Sequence, residues 1–149
     1  MGKAFSATLI GGLAAGALDI IYACAHWYLA MHVPPQRILQ AVASGLIGRD
    51  AAVGGGWNTA LLGLILHFVM TLIMAAFFVA ASRVLPALNR WPLVSGIAYG
   101  LGLYAVMTYI VVPNSLAGGA APEGQFLIGA LFAHTVLVGV PIAFAAKRA

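Results

Sequence analysis

Asp19 and His26 lie within a long apolar stretch near the start of the chain, and Tyr22 stands between them. On a helix, spacings of three and seven residues put the three side chains along one side, as a polar ladder that runs into the membrane. A charged carboxylate near the bilayer centre costs at least about 2.5–3.5 kcal/mol, so we expect Asp19 to be protonated, paired or wetted. Imidazoles are its available partners, and such groups can exchange protons or hold a small ligand.

Polar side chains in the other apolar stretches extend this candidate site. A rise of about 1.5 Å per helical residue places four groups, one of them Tyr22, at a common depth of roughly 12–14 Å, and puts Asp19 at roughly 18 Å. We therefore predict a proton or ligand cluster that is open to the outer side. The alternative is that each group only hydrogen-bonds neighbouring helices. The predicted cluster consists of Asp19, Tyr22, His26, His67, Tyr104 and His134.

Two of these histidines also fit a different chemistry. His67 and His134 lie on different predicted spans at matched depth, as two axial haem ligands in a helical bundle do. A haem b or a metal ion is therefore an alternative, although no CxxCH sequence or HxxxH pair accompanies it. The sequence contains no nucleophile elbow, Walker sequence or HExxH sequence, so we predict that the protein is not an enzyme.

The composition requires membrane-spanning helices to position these groups. Of the 149 residues, 63% are hydrophobic and 7% are charged, whereas soluble domains carry about 25% charged residues. The mean hydropathy is +1.03. The length holds four spans of about 20 residues and no separate soluble domain. We predict one all-α domain, residues 1–149, with transmembrane helices at about 5–31, 59–82, 93–112 and 126–145.

A further helix is predicted between the first two spans, at about residues 36–48. Its apolar residues follow helical spacing on one side, while Arg37, Gln40 and Ser44 lie on the other. This pattern indicates a short amphipathic helix in the membrane interface on the outer side. Residues 49–56, which are rich in glycine, are expected to form a flexible connection to the second span.

Small residues predict how the spans pack. Gly12 and Gly16 in the first span, and Gly96 and Gly100 in the third, are each four residues apart. This spacing lets two helices approach closely in a membrane. We therefore expect the first and third spans to pack against each other through these glycines.

Basic residues predict the orientation and constrain the partners. The positive-inside rule places both termini in the cytoplasm, because five of the seven basic residues fall on one side of the predicted membrane. Because the sequence has no cluster of basic residues, we predict that it does not bind nucleic acid. Its apolar composition predicts membrane lipid as a partner. Because four short helices enclose little volume, we also expect a homo-oligomer or a subunit of a larger complex. The five residues are Lys3, Arg83, Arg90, Lys147 and Arg148.

Short motifs in the first 50 residues carry a family resemblance. The sequences GLAAG at 12–16, PPQRILQ at 34–40 and ASGL at 43–46 together resemble the YagU-like group of small bacterial inner-membrane proteins. The resemblance implies four spans and a bacterial inner membrane, and it implies no activity. The chain departs from that group after the first span, where the group tends to have lysine and acidic residues and this chain has Tyr22, His26 and Trp27.

Three functions fit the sequence. The first is a small proton-linked transporter or channel-like protein in which Asp19 titrates. The second is a haem- or metal-binding membrane protein that uses His67 and His134. The third is a non-catalytic accessory or lipid-organising protein whose amphipathic helix is the working part. An Asp19→Asn variant separates the first from the third, because it should abolish transport and leave a structural role nearly intact.

Overall fold

The computed structural model describes residues 2–149, which form helices joined by short connections. No β-strand is present in that part of the chain. Two segments, Met107–Val111 and Ala133–Gly139, are wider helical turns that continue or join α-helices. The elements are α1 Lys3–Met31, α2 Pro35–Ile47, α3 Arg49–Gly54, α4 Gly56–Val84, α5 Ala87–Arg90, α6 Pro92–Val106, π1 Met107–Val111, α7 Gly124–Phe132, π2 Ala133–Gly139 and α8 Val140–Ala146.

Four helical stretches are long and apolar enough to cross a membrane. Large apolar side chains cover the outside of the bundle, where Leu29 is 78% exposed and Phe77 is 69% exposed. Helices that are apolar all round face lipid or a protein core rather than water. The chain is therefore an all-α, multi-pass membrane protein, which confirms the predicted fold class. The stretches are Lys3–Met31, Gly56–Val84, Pro92–Val111 and Gly124–Ala146.

The core lies between α1, α4 and the fourth span, where small residues bring the helices close together. Ala15, Ala75 and Ala143 are each fully buried there. Phe78 on α4 and Ile142 on α8 fill the remaining space within the same cluster. In a membrane, helices associate through this kind of close packing, because lipid offers no hydrophobic driving force.

The glycines of the first span pack against α4. A Cβ atom built on Gly16 would lie 2.8 Å from the ring of Phe68, and one built on Gly12 would lie 2.9 Å from Leu72 Cα. Neither position has room for a side chain, so α1 and α4 are in backbone contact.

The glycines of the third span pack against the fourth. A Cβ atom on Gly96 would lie 2.8 Å from the carbonyl oxygen of Gly139, and one on Gly100 would collide with the carbonyl oxygen of His134. The predicted pairing of the first and third spans through these glycines is therefore wrong. A four-residue spacing of small residues marks a contact face, but it carries no information about which helix fills it.

Residues 49–54 form a short helix, α3, so the predicted flexible connection is wrong. Gly48 begins it with a φ of 81°, a backbone conformation that glycine adopts without strain. The last carbonyls of a helix lack partners within it, and here side chains supply them. Thr59 donates to the Ala52 carbonyl oxygen over 2.5 Å, and Gln40 donates to the Val53 carbonyl oxygen over 3.5 Å.

The α2 helix packs directly on the first half of α4 with its polar side turned inward. Gln40 is 2% exposed and Ser44 is 6% exposed, whereas the apolar Leu46 is 57% exposed. A helix in the membrane interface turns its polar side to water, but α2 uses that side to bond α3 and the start of α4. Gly63 makes the contact possible, because the Leu39 carbonyl oxygen occupies the place of a Cβ atom.

The bundle has two distinct ends. The start of α1, α5 and the end of α8 are in contact at the first, which we call the termini end. The second, which we call the α2 end, holds α2, α3 and residues 112–123. The Leu116 N–H donates to the Gly45 carbonyl oxygen over 3.0 Å, which fastens this connection to α2.

Candidate functional site

His67 on α4 faces Asp19 on α1. The imidazole is 2.9 Å from the Gly16 carbonyl oxygen through its Nε2 atom. Since a carbonyl oxygen only accepts, Nε2 carries the proton and donates it. The same nitrogen lies 3.9 Å from Asp19 Oδ2, and the two side chains are 10% and 21% exposed. Within residues 2–149 this is the only polar contact of the Asp19 carboxylate.

His134 on π2 lies near the same pair. Both His67 and His134 are close enough to Asp19 to interact with it electrostatically. The Nδ1 atom of His134 donates to the Ala130 carbonyl oxygen over 2.9 Å, so Nε2 is the ring nitrogen that stays available. Within residues 2–149, the direct contact at this site is therefore the one between Asp19 and His67, and His134 is not hydrogen-bonded or ion-paired to either of them.

The ring of Tyr104 packs edge-on against His134, with 5.8 Å between the ring centroids. Its hydroxyl group is buried and has no hydrogen-bond partner among the described residues. Buried polar groups in native structures are nearly always bonded to protein or ordered water. The residue that packs against His134 thus carries a polar group that is unsatisfied within the described part of the chain.

The π2 turn sets the position of His134. His134 and Thr135 donate from their side chains to the carbonyl oxygens of Ala130 and Leu131, four residues earlier, over 2.9 Å and 2.6 Å. Side-chain bonds to these carbonyls compete with the backbone ladder, and the helix widens at this point into a π turn. Such turns occur frequently at functional sites. No sequence pattern predicted this turn.

Tyr22 and His26 stand apart from Asp19 and face the start of the fourth span. Their rings stack with 5.4 Å between centroids, and His26 packs edge-on against Phe126 at 5.6 Å. A Cβ atom on Gly129 would lie 3.0 Å from His26 Nε2 and 3.1 Å from the Tyr22 hydroxyl. The pair is thus part of an aromatic contact between α1 and α7.

The six predicted site residues therefore do not form one buried charged cluster. Asp19, His67 and His134 lie near one another with Tyr104 beside them, while Tyr22 and His26 form a separate pair. Tyr22 and His26 share the side of α1 that carries Asp19, but they lie about 4.5 Å and 10.5 Å further along the helix axis, where they pack against Phe126 and Gly129. Depth along one helix does not show which neighbouring helix meets each turn.

A cavity of about 750 Å³ lies between α2, α4, π1 and residues 112–117. Its charged and imidazole groups are Arg37 and His134. Asp19 and His67 do not line it, so this cavity is not a vestibule around that pair. Arg37 was not among the predicted site residues, although its position next to the apolar side of α2 was a usable signal. The walls are apolar and include Ile38, Val42, Leu66, Met70, Met107 and Val111.

The histidines do not fit a haem. Two axial ligands need a free nitrogen on each of His67 and His134, facing a shared space. His134 lines the cavity with Nε2 available, but His67 does not line it and its Nε2 donates to Gly16. Among residues 2–149, no three His, Cys, Asp or Glu side chains are grouped so that they could hold a metal ion.

Comparison with known proteins adds no family. No protein-family model, curated protein or solved structure matches the chain. The resemblance to the YagU-like group stays a prediction.

Proposed function

We propose that the chain is a small proton-linked transporter or channel-like membrane protein in which Asp19 binds and releases the proton. The observation that carries the proposal is the 3.9 Å approach of Asp19 Oδ2 to His67 Nε2, between two different spans. An acid that served only to hold helices together would be hydrogen-bonded, because an unbonded carboxylate in a membrane is costly. Asp19 instead keeps a partly exposed carboxylate beside an imidazole.

His134 supplies the link between this pair and the cavity. It lies on the cavity wall and within electrostatic reach of Asp19. Its free Nε2 atom can accept a proton from the cavity. The ring returns to its neutral form when that proton passes through a bridging water molecule to the Asp19 carboxylate, because His134 is not in direct contact with Asp19. Imidazole suits this role because its charge changes near neutral pH.

We further propose a bacterial inner membrane with both termini in the cytoplasm. Supporting this, Lys3 and Arg148 lie around one surface depression at the termini end. Of the other basic residues that the positive-inside rule uses, Arg83 lies in the last turn of α4, Arg90 ends α5 and Lys147 follows α8. Because four spans enclose little volume, we propose that a second copy, or a larger complex, completes the path.

A lipid-organising role for α2 has less support. That role needs a polar side that faces water and an apolar side that enters the lipid. Gln40 and Ser44 are buried against protein, and Ile38 and Val42 line the cavity.

Proton flux in reconstituted vesicles tests the proposal. Vesicles carry a trapped pH-sensitive dye, and valinomycin with a potassium gradient sets the driving voltage. We expect the native chain to conduct protons faster than protein-free vesicles, and we expect Asp19→Asn to return the rate to that background. The matched control is Asp50→Asn, which makes the same change at an exposed residue of α3 and should keep the native rate.

The folded state of each variant is checked by its elution as a single species in detergent and by its helical circular dichroism. Full flux in a folded Asp19→Asn variant contradicts the proposal. So does a native chain that conducts no faster than empty vesicles.

A further inference from the structure

We propose that the cavity between α2, α4 and π1 binds an amphiphile with one apolar chain and an anionic head group, the chemistry of a fatty acid. The inference rests on the proposed function, because it names the class of solute that would move with the proton. It is drawn from the walls of the cavity, its size and the single charge at its edge.

The walls select an apolar chain. Eight apolar side chains from α2, α4 and π1 line the space, among them Leu66, Met70 and Met107. Methionine is flexible and polarisable, so it adapts to chains of different shape. The volume of about 750 Å³ lies within the range of pockets that enclose one drug-sized ligand, about 300–1,000 Å³. This size favours one chain over the two chains of a bilayer phospholipid.

Arg37 selects an anionic head. Among residues 2–149, it is the one charged side chain that lines the cavity, and none of the acidic residues of that part of the chain does so. A guanidinium group binds a carboxylate through paired, charge-assisted hydrogen bonds. The lining thus combines a positive group with an apolar interior, which matches the two parts of an anionic amphiphile.

The Arg37 side chain is exposed, and a hydrogen bond to the buried Gln40 holds it in place. Its Nη1 atom donates to Gln40 Oε1 over 3.1 Å. Gln40 is 2% exposed, and its Nε2 atom donates in turn to the Gly56 carbonyl oxygen over 2.8 Å. A surface arginine is usually free to move, whereas this one is bonded to a residue that is fixed in the protein. Gln40 is therefore a positioning residue for the head group.

Fluorescence energy transfer to cis-parinaric acid tests the inference. This probe is a single-chain carboxylic acid that accepts energy from tryptophan, and Trp27 lines the cavity. The protein carries Trp57→Phe and Trp91→Phe, so that Trp27 is the only donor. Palmitate, hexadecanol and dioleoyl phosphatidylglycerol are used as competitors. An Ala41→Phe variant, which fills the cavity from an exposed position of α2, measures transfer from probe dissolved in the detergent.

We expect saturable transfer that Ala41→Phe abolishes, and displacement by palmitate at lower concentration than by hexadecanol. Arg37→Gln should weaken parinarate binding by about fivefold, the effect of an exposed charge pair, and should remove the preference for palmitate. The inference is overturned if no part of the energy transfer saturates with probe concentration. It is also overturned if the saturable part persists in Ala41→Phe. Equal displacement by hexadecanol, or stronger displacement by the phospholipid, also overturns it.

The binding and flux assays fail independently. If parinarate binds as expected but Asp19→Asn keeps full proton flux, the proposed function is wrong and the cavity still binds the amphiphile. If proton flux depends on Asp19 but parinarate does not bind, the class of solute is wrong and the proton site stands.

Discussion

Replacing Gly100 by alanine should destabilise the bundle at the point that holds His134. The backbone of α6 touches π2 there without an intervening side chain. An added Cβ atom would lie 2.5 Å from Thr135 Cα and closer still to the His134 carbonyl oxygen. Because carbon atoms pack at about 3.5–4.0 Å, α6 and π2 must separate by about 1 Å or more.

Gly102 provides a matched control on the same helix, because an added Cβ atom there meets nothing within 4 Å. Both substitutions gain about 1 kcal/mol of helix propensity, but only Gly100→Ala also costs the roughly 1–3 kcal/mol of overpacking. The difference between the two variants therefore equals the overpacking term. At about 2–4 °C per kcal/mol for a chain of this size, their melting temperatures should differ by about 2–12 °C.

The assay is thermal unfolding in detergent, followed by the loss of monodisperse protein after heating. Gly102→Ala should unfold at or above the native temperature, and Gly100→Ala below it. Equal melting temperatures for the two variants would contradict the backbone contact of α6 with π2 at Gly100.

Two further substitutions test contacts made by α4. Gly63→Ala should displace α2, because the Leu39 carbonyl oxygen occupies the Cβ position. The rate of hydrogen exchange of the α2 amides should then rise. The control is Gly54→Ala, which should leave that rate unchanged because no described atom lies within 4 Å of the added Cβ atom. Tyr99→Phe removes the hydroxyl that donates to the Met74 carbonyl oxygen over 2.7 Å and should cost about 0.6–1.5 kcal/mol, or about 1–6 °C of melting temperature. The same substitution at the exposed Tyr109 should not lower the melting temperature measurably. Equal decreases in melting temperature at the two tyrosines would count against the hydrogen bond to Met74.

The sequence predicted the spans well because long apolar runs leave few other structures open to a chain in lipid. It predicted which faces are in close contact from Gly12, Gly16, Gly96 and Gly100, but it assigned them the wrong partners. The partner of a face depends on contacts between distant residues, such as the fit of Gly16 on Phe68, which no local pattern records.

Asp19 and His67 show how a wrongly predicted helix start affects a predicted site. The expected start of the second span at residue 59 placed His67 well above Asp19. The helix begins at Gly56, which adds three residues, or about 4.5 Å, and brings His67 to about the depth of Asp19. The contacts of Tyr22 and His26 with the fourth span and the cavity beside Arg37 both depend on tertiary packing, so sequence periodicity could not predict them.

An infrared titration of the detergent-purified protein tests the claim that Asp19 exchanges its proton within the span. Stepping the pH of the buffer should therefore change a protonated-carboxyl stretching band that Asp19→Asn lacks and Asp50→Asn retains. A spectrum in which every pH-dependent carboxyl band survives in Asp19→Asn would contradict the claim and identify Asp19 as a structural residue.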